Sequence, residues 1–140
     1  MSDSIQFGFV CVQNAGRSQM STAFAEQERD RRGLEDRVSI VTGGTHPADH
    51  VHEEVVTVMD EVGIDISNRT PQEVATETLE ACDVVATMGC STLDLNADSV
   101  EVRDWALDDP DGQDLDAVGA IRDDIERRVS NLFDEFVDDL

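Results

Sequence analysis

Ile5-Gln6-Phe7-Gly8-Phe9-Val10-Cys11-Val12-Gln13-Asn14-Ala15-Gly16-Arg17-Ser18 is the stretch on which the reading of this 140-residue chain turns. The run 5–10 is short, apolar and bounded by polar and glycine residues, which predicts a buried strand. From Ser18 the pattern becomes helical over 18–32, with Met20, Ala23, Phe24 and Gln27 on one side. A loop joining that strand to that helix directs its backbone N–H groups, and the positive end of the helix dipole, at one small volume. Val12, Gln13, Asn14, Ala15, Gly16, Arg17 and Ser18 are therefore the candidate oxyanion-binding residues, with Gly16 allowing a positive φ or a close approach of backbone to ligand. Arg17 adds a planar, permanently charged fork that grips two oxygens at once. Cys11 lies at the floor of the same field, which favours the thiolate, and the Ser18 hydroxyl is placed to hydrogen-bond its sulfur. The inert alternative is a buried structural cysteine before an ordinary helix start. The strand–helix junction favours the chemical reading.

Working outward, apolar periodicity predicts strands at 5–10, 38–42, 84–88 and 101–105 and helices at 18–32, 53–62, 71–80 and 115–137. This alternation implies an α/β fold in three layers, a doubly wound four-stranded parallel sheet covered on both faces. In the last helix Val118, Ile121, Ile125, Val129, Leu132 and Phe136 recur at three- and four-residue steps and are expected to face the sheet. With no repeat or linker in view, residues 1–140 are expected to form a single domain.

Ninety residues beyond Arg17 lies Leu107-Asp108-Asp109-Pro110-Asp111-Gly112. Thiolate attack on a tetrahedral oxyanion requires a proton donor for the departing oxygen, and a carboxyl on a loop across the mouth would serve. Asp109 is the candidate, because Pro110 restricts the backbone before it and holds the side chain in one orientation. Taken alone, the segment is also ordinary turn chemistry.

Cys11-x5-Arg17-Ser18 near the N-terminus with Asp109-Pro110 toward the C-terminus resembles the low-molecular-weight protein tyrosine phosphatase superfamily. Arg17-Ser18-Gln19-Met20, Gly63-Ile64-Asp65-Ile66-Ser67-Asn68-Arg69-Thr70 and Trp105-Ala106-Leu107-Asp108-Asp109-Pro110 are similar to stretches of its thioredoxin-type arsenate reductase branch. The resemblance spans nearly the whole chain. It implies Cys11 as nucleophile, Arg17 as oxyanion clamp, Asn14 as a prop of the loop, Ser18 as thiolate partner and Asp109 as general acid. It also implies an external thiol reductant (thioredoxin, glutaredoxin or a small thiol), no tightly bound cofactor, and arsenate or a phosphate-like oxyanion as substrate. Relatives carry two further cysteines after the strand, whereas here Cys90 supplies one and residues 91–100 contain no second. Cys90, at the carboxyl end of its strand, is the candidate resolving cysteine, with inert packing as the alternative. Cys82, before the strand, reads as a core filler. The aromatic residue that phosphatases of the family place after Asp-Pro is Asp111 here, which suits a small inorganic anion better than an aryl phosphate. Two other functions remain open: a phosphatase using Cys11, Arg17 and Asp109 without a second thiol, and a non-catalytic anion-binding or redox-sensing regulator.

All ten basic residues are arginine, set against 32 acidic ones, for a net charge of −22. Such a surface suits molar salt, where screening falls to about 3 Å, and points to a halophilic prokaryote, an archaeon. It excludes a general nucleic-acid partner. No segment approaches the length of a membrane span, and 5–10 is too short for a signal-peptide core, so a cytoplasmic protein without a membrane partner is expected. Three cysteines without a metal or disulfide spacing fit a reducing compartment. His46, His50 and His52 share one loop, but no partner fixed by spacing makes them a metal site, so none is assigned. The Asp109–Asp116 acidic run has its glycine at the wrong position for a calcium loop.

Overall fold

The computed structural model describes residues 4–88, 100–108, 110 and 112–137. Within them the chain runs β1 (Ile5–Cys11), α1 (Arg17–Arg31), β2 (Val38–Gly44), α2 (Glu53–Asp60), α3 (Thr76–Glu80), β3 (Val84–Met88), β4 (Glu101–Asp104) and α4 (Leu115–Val137). The strands form one parallel sheet in the order β2-β1-β3-β4. The α/β class and four parallel strands expected from the alternation are thus borne out.

β1 is central, and its last five residues are all buried. Successive side chains enter different cores, as the pleat requires. Phe7, Phe9 and Cys11 join a large cluster with residues of α1, α2 and α4, whereas Val10 packs with Leu79, Cys82, Val85 and Val100 on the α3 side. The layers are unequal: three helices on one face, the five-residue α3 on the other. Gly8 allows that thin layer to lie close, since a Cβ there would sit 3.2 Å from both Cys82 Sγ and a Leu79 methyl. The outer strands differ in exposure from β1. β4 exposes Glu101, Val102 and Asp104, and its Arg103 pairs with Glu101 and Glu135, a charged edge that resists pairing with another chain.

Several details depart from the sequence pattern. Gln27 is exposed, and the buried row of α1 continues instead through Glu28, one turn beyond Phe24, where Arg31 and Arg32 neutralise its carboxylate. In α4 Phe136 is only partly buried; Phe133 and Val137 complete the stripe, with the Phe133 ring 5.2 Å from that of Phe7. α2 ends at Asp60 rather than 62, because Gly63 adopts φ +82° and donates to Asp60 O while Ile64 donates to Met59 O, a Schellman-type stop.

The largest departure lies at 71–80, where only Thr76–Glu80 is helical. Residues before it run alongside β2 instead: Glu73 forms a parallel bridge with Gly44, and Gly44 N–H donates to Gln72 O at 2.9 Å. A side chain at Gly43 would overlap Val74, with Cβ only 2.5 Å from Val74 Cβ, so glycine is what lets this strap close on the sheet.

Candidate active site

Cys11 ends β1, paired in register with Gly44 of β2 and Met88 of β3. The chain leaves β1 toward β2 on one side and reaches β3 on the other, which opens a crevice at the carboxyl end of β1, where ligands bind in open α/β sheets. Residues 12–16 fill that crevice as a loop and deliver the chain into α1. The helix starts without a side-chain cap and without an acidic residue in its first turn. In a chain with 32 carboxylates, residues 4–25 contain none.

The segment after β2 fixes which way the loop faces. Backbone N–H groups of Thr45, His46, Ala48 and His52 donate to the carbonyls of Cys11, Val12, Gln13 and Ala15 at 3.3, 2.7, 3.0 and 3.0 Å. Among the described residues no acceptor meets the N–H groups of Val12, Gln13, Ala15 or Gly16. With carbonyls tied back and donors unspent, the loop is a nest for an anion. Gly44 makes room for it: a Cβ there would lie 2.5 Å from Val12 O.

At the floor, Cys11 Sγ accepts the Asn14 N–H at 3.2 Å and lies 2.9 Å from Ser18 Oγ. Asn14 is fully buried at φ +52°, a conformation that asparagine tolerates better than most residues. Its Nδ2 donates to Ser18 Oγ at 2.6 Å and Thr42 Oγ1 at 3.0 Å; its Oδ1 accepts from Gln19 Nε2 and from Gln72 N–H, both at 3.1 Å. The Gln72 bond sets the amide orientation, because a backbone N–H can only donate. Every donor and acceptor of the side chain is used. Ser18 Oγ thereby accepts from Asn14, which leaves its own proton for the sulfur, the arrangement that stabilises negative charge there. Thr42 in turn donates to Phe9 O at 3.0 Å.

Cys11, Val12, Gln13, Gly16, Arg17, His52 and Pro110 enclose a cavity of about 190 Å³. This is smaller than the roughly 300–1,000 Å³ of sites that hold drug-sized molecules. Arg17 Nη1 donates to Leu107 O at 3.1 Å, which ties the loop to the segment after β4, and among the described residues it meets no carboxylate. Most other arginines are ion-paired, Arg122 with Glu61 and Arg128 with Asp124 for example. Gly16 does not take a positive φ; what requires glycine there is Pro110, whose Cγ would lie 2.9 Å from a Cβ. The positive φ falls to Asn14.

Asp109 and Cys90 lie outside the described residues; the neighbour Pro110 is buried and lines the cavity, while Asp108 is exposed. Cys82 is buried in the α3-side cluster, and burial, with Asp83 adding to it, pushes its thiol up to about 11. It lies beside Gly8, three residues before Cys11 and on the opposite face of β1, roughly 10 Å away along the strand at ~3.3 Å per residue. The three histidines diverge. His46 Nδ1 lies near Thr45 Oγ1, whereas His52 Nε2 lies 3.0 Å from Gln13 Oε1 and the residue forms the N-terminal boundary of α2. Sequence reasoning missed His52 as a wall of the cavity, and missed Thr42 and Gln72 as supports of Asn14. Only the position of His52 just before an amphipathic helix could have hinted at the first; the other two depend on the unforeseen strap at 71–75.

Several known proteins are similar to this chain. A Halobacterium salinarum protein, provisionally named an arsenate reductase, is 75% identical over 131 residues, covering 94% of this chain and 92% of that protein, in keeping with the halophilic reading of the composition. A Synechocystis sp. glutaredoxin arsenate reductase is 34% identical over 128 residues, 89% of this chain and 92% of the relative. Among solved structures, an arsenate reductase in the phosphate-binding state superposes with a TM-score of 0.78 at 30% identity, covering 97% of this chain and 99% of that one. The Corynebacterium glutamicum thioredoxin-dependent arsenate reductase gives 0.79 at 29% identity, covering 96% and 63%. The family model described as low molecular weight phosphotyrosine protein phosphatase matches residues 6–139, and to that family this chain belongs.

Proposed function

We propose that this protein is an arsenate reductase that works through a covalent adduct on Cys11. The observation that carries the reading is a thiol, contacted by two donors, at the floor of a cavity of about 190 Å³ whose described lining holds an arginine and no phenylalanine, tyrosine or tryptophan. Such a site has room and charge for a bare tetrahedral oxyanion and, among the described residues, lacks a Phe, Tyr or Trp to flank an aryl ring. The 75% identical relative and the 34% identical one, both named for arsenate reduction, favour arsenate as that oxyanion.

In the proposed reaction the N–H groups of Val12, Gln13, Ala15, Gly16 and Arg17 and the Arg17 guanidinium hold three arsenate oxygens, and Cys11 Sγ attacks arsenic opposite the fourth. Asp109 gives its proton to that departing oxygen, which leaves as water. A second thiolate then attacks Cys11 Sγ. The sulfur–arsenic bond breaks with its electron pair going to arsenic, arsenite leaves, and a disulfide forms. Cys90 is our candidate for that thiol, with an external small thiol or a thioredoxin- or glutaredoxin-like protein as the alternative. Either way an outside thiol reductant must restore Cys11. The cytoplasm supplies such a reductant, and among the described residues no helix is long and apolar enough to cross a membrane.

The family model is named for phosphatases, and the alternative reading as a phosphatase needs Cys11, Arg17 and Asp109 but no second thiol. Steady-state turnover in molar potassium chloride separates the two. Arsenate-dependent oxidation of a dithiol, with slow hydrolysis of p-nitrophenyl phosphate, supports the reductase. Rapid hydrolysis of the aryl ester with no arsenate-dependent oxidation overturns it in favour of the phosphatase.

A further inference from the structure

The mouth of the cavity holds a pair of side chains that the reaction above does not use. Gln13 and His52 both line it, and His52 Nε2 lies 3.0 Å from Gln13 Oε1. An amide oxygen only accepts, so Nε2 carries the proton and donates. The pair is braced: the His52 N–H donates to Ala15 O at 3.0 Å, and His52 Cδ2 stands 3.7 Å from where a Gly16 Cβ would be. With Oε1 engaged by His52, the amino half of the Gln13 amide remains to donate.

We propose that His52, acting through Gln13, is a specificity-determining residue that selects a bare tetrahedral oxyanion over a phosphate or arsenate ester. The inference rests on the oxyanion-reductase reading of the site. Loop amides and Arg17 hold three oxygens in the nest, so the fourth faces away from Cys11, toward the other lining side chains, Gln13, His52 and Pro110. On a free anion this fourth oxygen is unsubstituted and accepts the Gln13 amino group. On an ester it carries the organic group, which gains nothing from the amide. At molar salt screening reduces long-range attraction to about 3 Å, so this short donor contact, not the overall field, sets the preference.

The test is calorimetric titration of the full-length chain carrying Cys11→Ser, which prevents turnover, with inorganic phosphate and separately with phenyl phosphate in molar potassium chloride. His52→Ala should weaken phosphate binding about tenfold, the scale of one hydrogen bond to a charged group, and leave phenyl phosphate within about twofold. Gln13→Ala should do the same, and the double variant should add little, because the two side chains act as one unit. His52→Asn keeps a good helix cap for α2 but cannot span to Gln13 as the imidazole does; it should reproduce the loss with unchanged melting temperature. Equal weakening of both ligands, no change in either, or additive single effects would each overturn the proposal. Binding is read without turnover, so failure here is distinct from failure to reduce arsenate.

Discussion

Replacing Asn14 by alanine probes the loop where its supports converge. The change removes four side-chain hydrogen bonds, to Ser18, Thr42, Gln19 and Gln72. Their costs differ. Gln19 Nε2 keeps its bond to Asn14 O at 3.0 Å, and Thr42 still donates to Phe9 O. The Gln72 N–H loses its acceptor outright; because Gln72 is exposed and the bond only partly buried, the cost falls toward the lower end of about 1–3 kcal/mol. Alanine must also hold φ +52°, which costs about 1 kcal/mol more than a residue suited to that region. The sum is about 2–4 kcal/mol, or a melting temperature lower by about 6–12 °C at roughly 3 °C per kcal/mol for a chain of this size. Turnover should fall further than stability implies, by about 10²-fold, because Ser18 loses the bond that aims its proton at the sulfur and the loop shifts under the substrate. Scanning calorimetry of Asn14→Ala and Asn14→Gly in molar salt checks the partition. Glycine should recover about 1 kcal/mol of stability by relieving the backbone, and none of the activity. Equal stability of alanine, glycine and the parent would refute the idea that this side chain holds the loop.

Other outcomes follow from the same geometry. Cys11→Ser should abolish turnover while phosphate still binds, since the amide nest and Arg17 survive; steady-state assays and calorimetry check the two halves. Asp109→Asn should slow reaction through a poor leaving group by about 10²–10⁴-fold, and the same selectivity in Asp108→Asn instead would move the general acid by one residue. Cys82, raised in the folded state to about 11 from an ordinary 9.0, adds stability that is fully present below pH 9 and is lost as pH rises toward 11. Cys82→Ala should flatten that alkaline fall by up to about 2–3 kcal/mol, at 1.36 kcal/mol per unit, measured by urea unfolding across the window. Lowering potassium chloride from molar to millimolar should depress the melting temperature, as screening between carboxylates lengthens from about 3 Å toward 30 Å.

The elements that the sequence made legible are those governed by local pattern. β1 and α1 follow from an apolar run, a loop and a helical period, and α4 follows from its stripe. Their ends were less legible because they depend on partners: Phe133 joins the half-buried Phe136 on the Phe7 ring, and Glu28, not Gln27, extends the buried row because two arginines neutralise it. Cys11, Arg17 and Ser18 could be read from the motif, since the chemistry requires those residue types at that spacing. What holds Asn14 could not. Thr42 lies 28 residues away and Gln72 lies 58 away, on a strap where Gly43 and Gly44 allow approach but where periodicity pointed to a helix. His52 was hidden for a related reason: its place before an amphipathic helix is at most a hint, and its role depends on the fold bringing Gln13 to it.

The account stands most directly on a single turnover. Fully reduced protein, mixed with excess arsenate in molar potassium chloride without any added thiol, should release close to one arsenite per chain. Intact and peptide mass spectrometry should then show Cys11 lost as a free thiol, in a disulfide with Cys90, while Cys82 stays reduced. No arsenite together with an untouched Cys11 thiol would contradict the claim that this cysteine attacks arsenate.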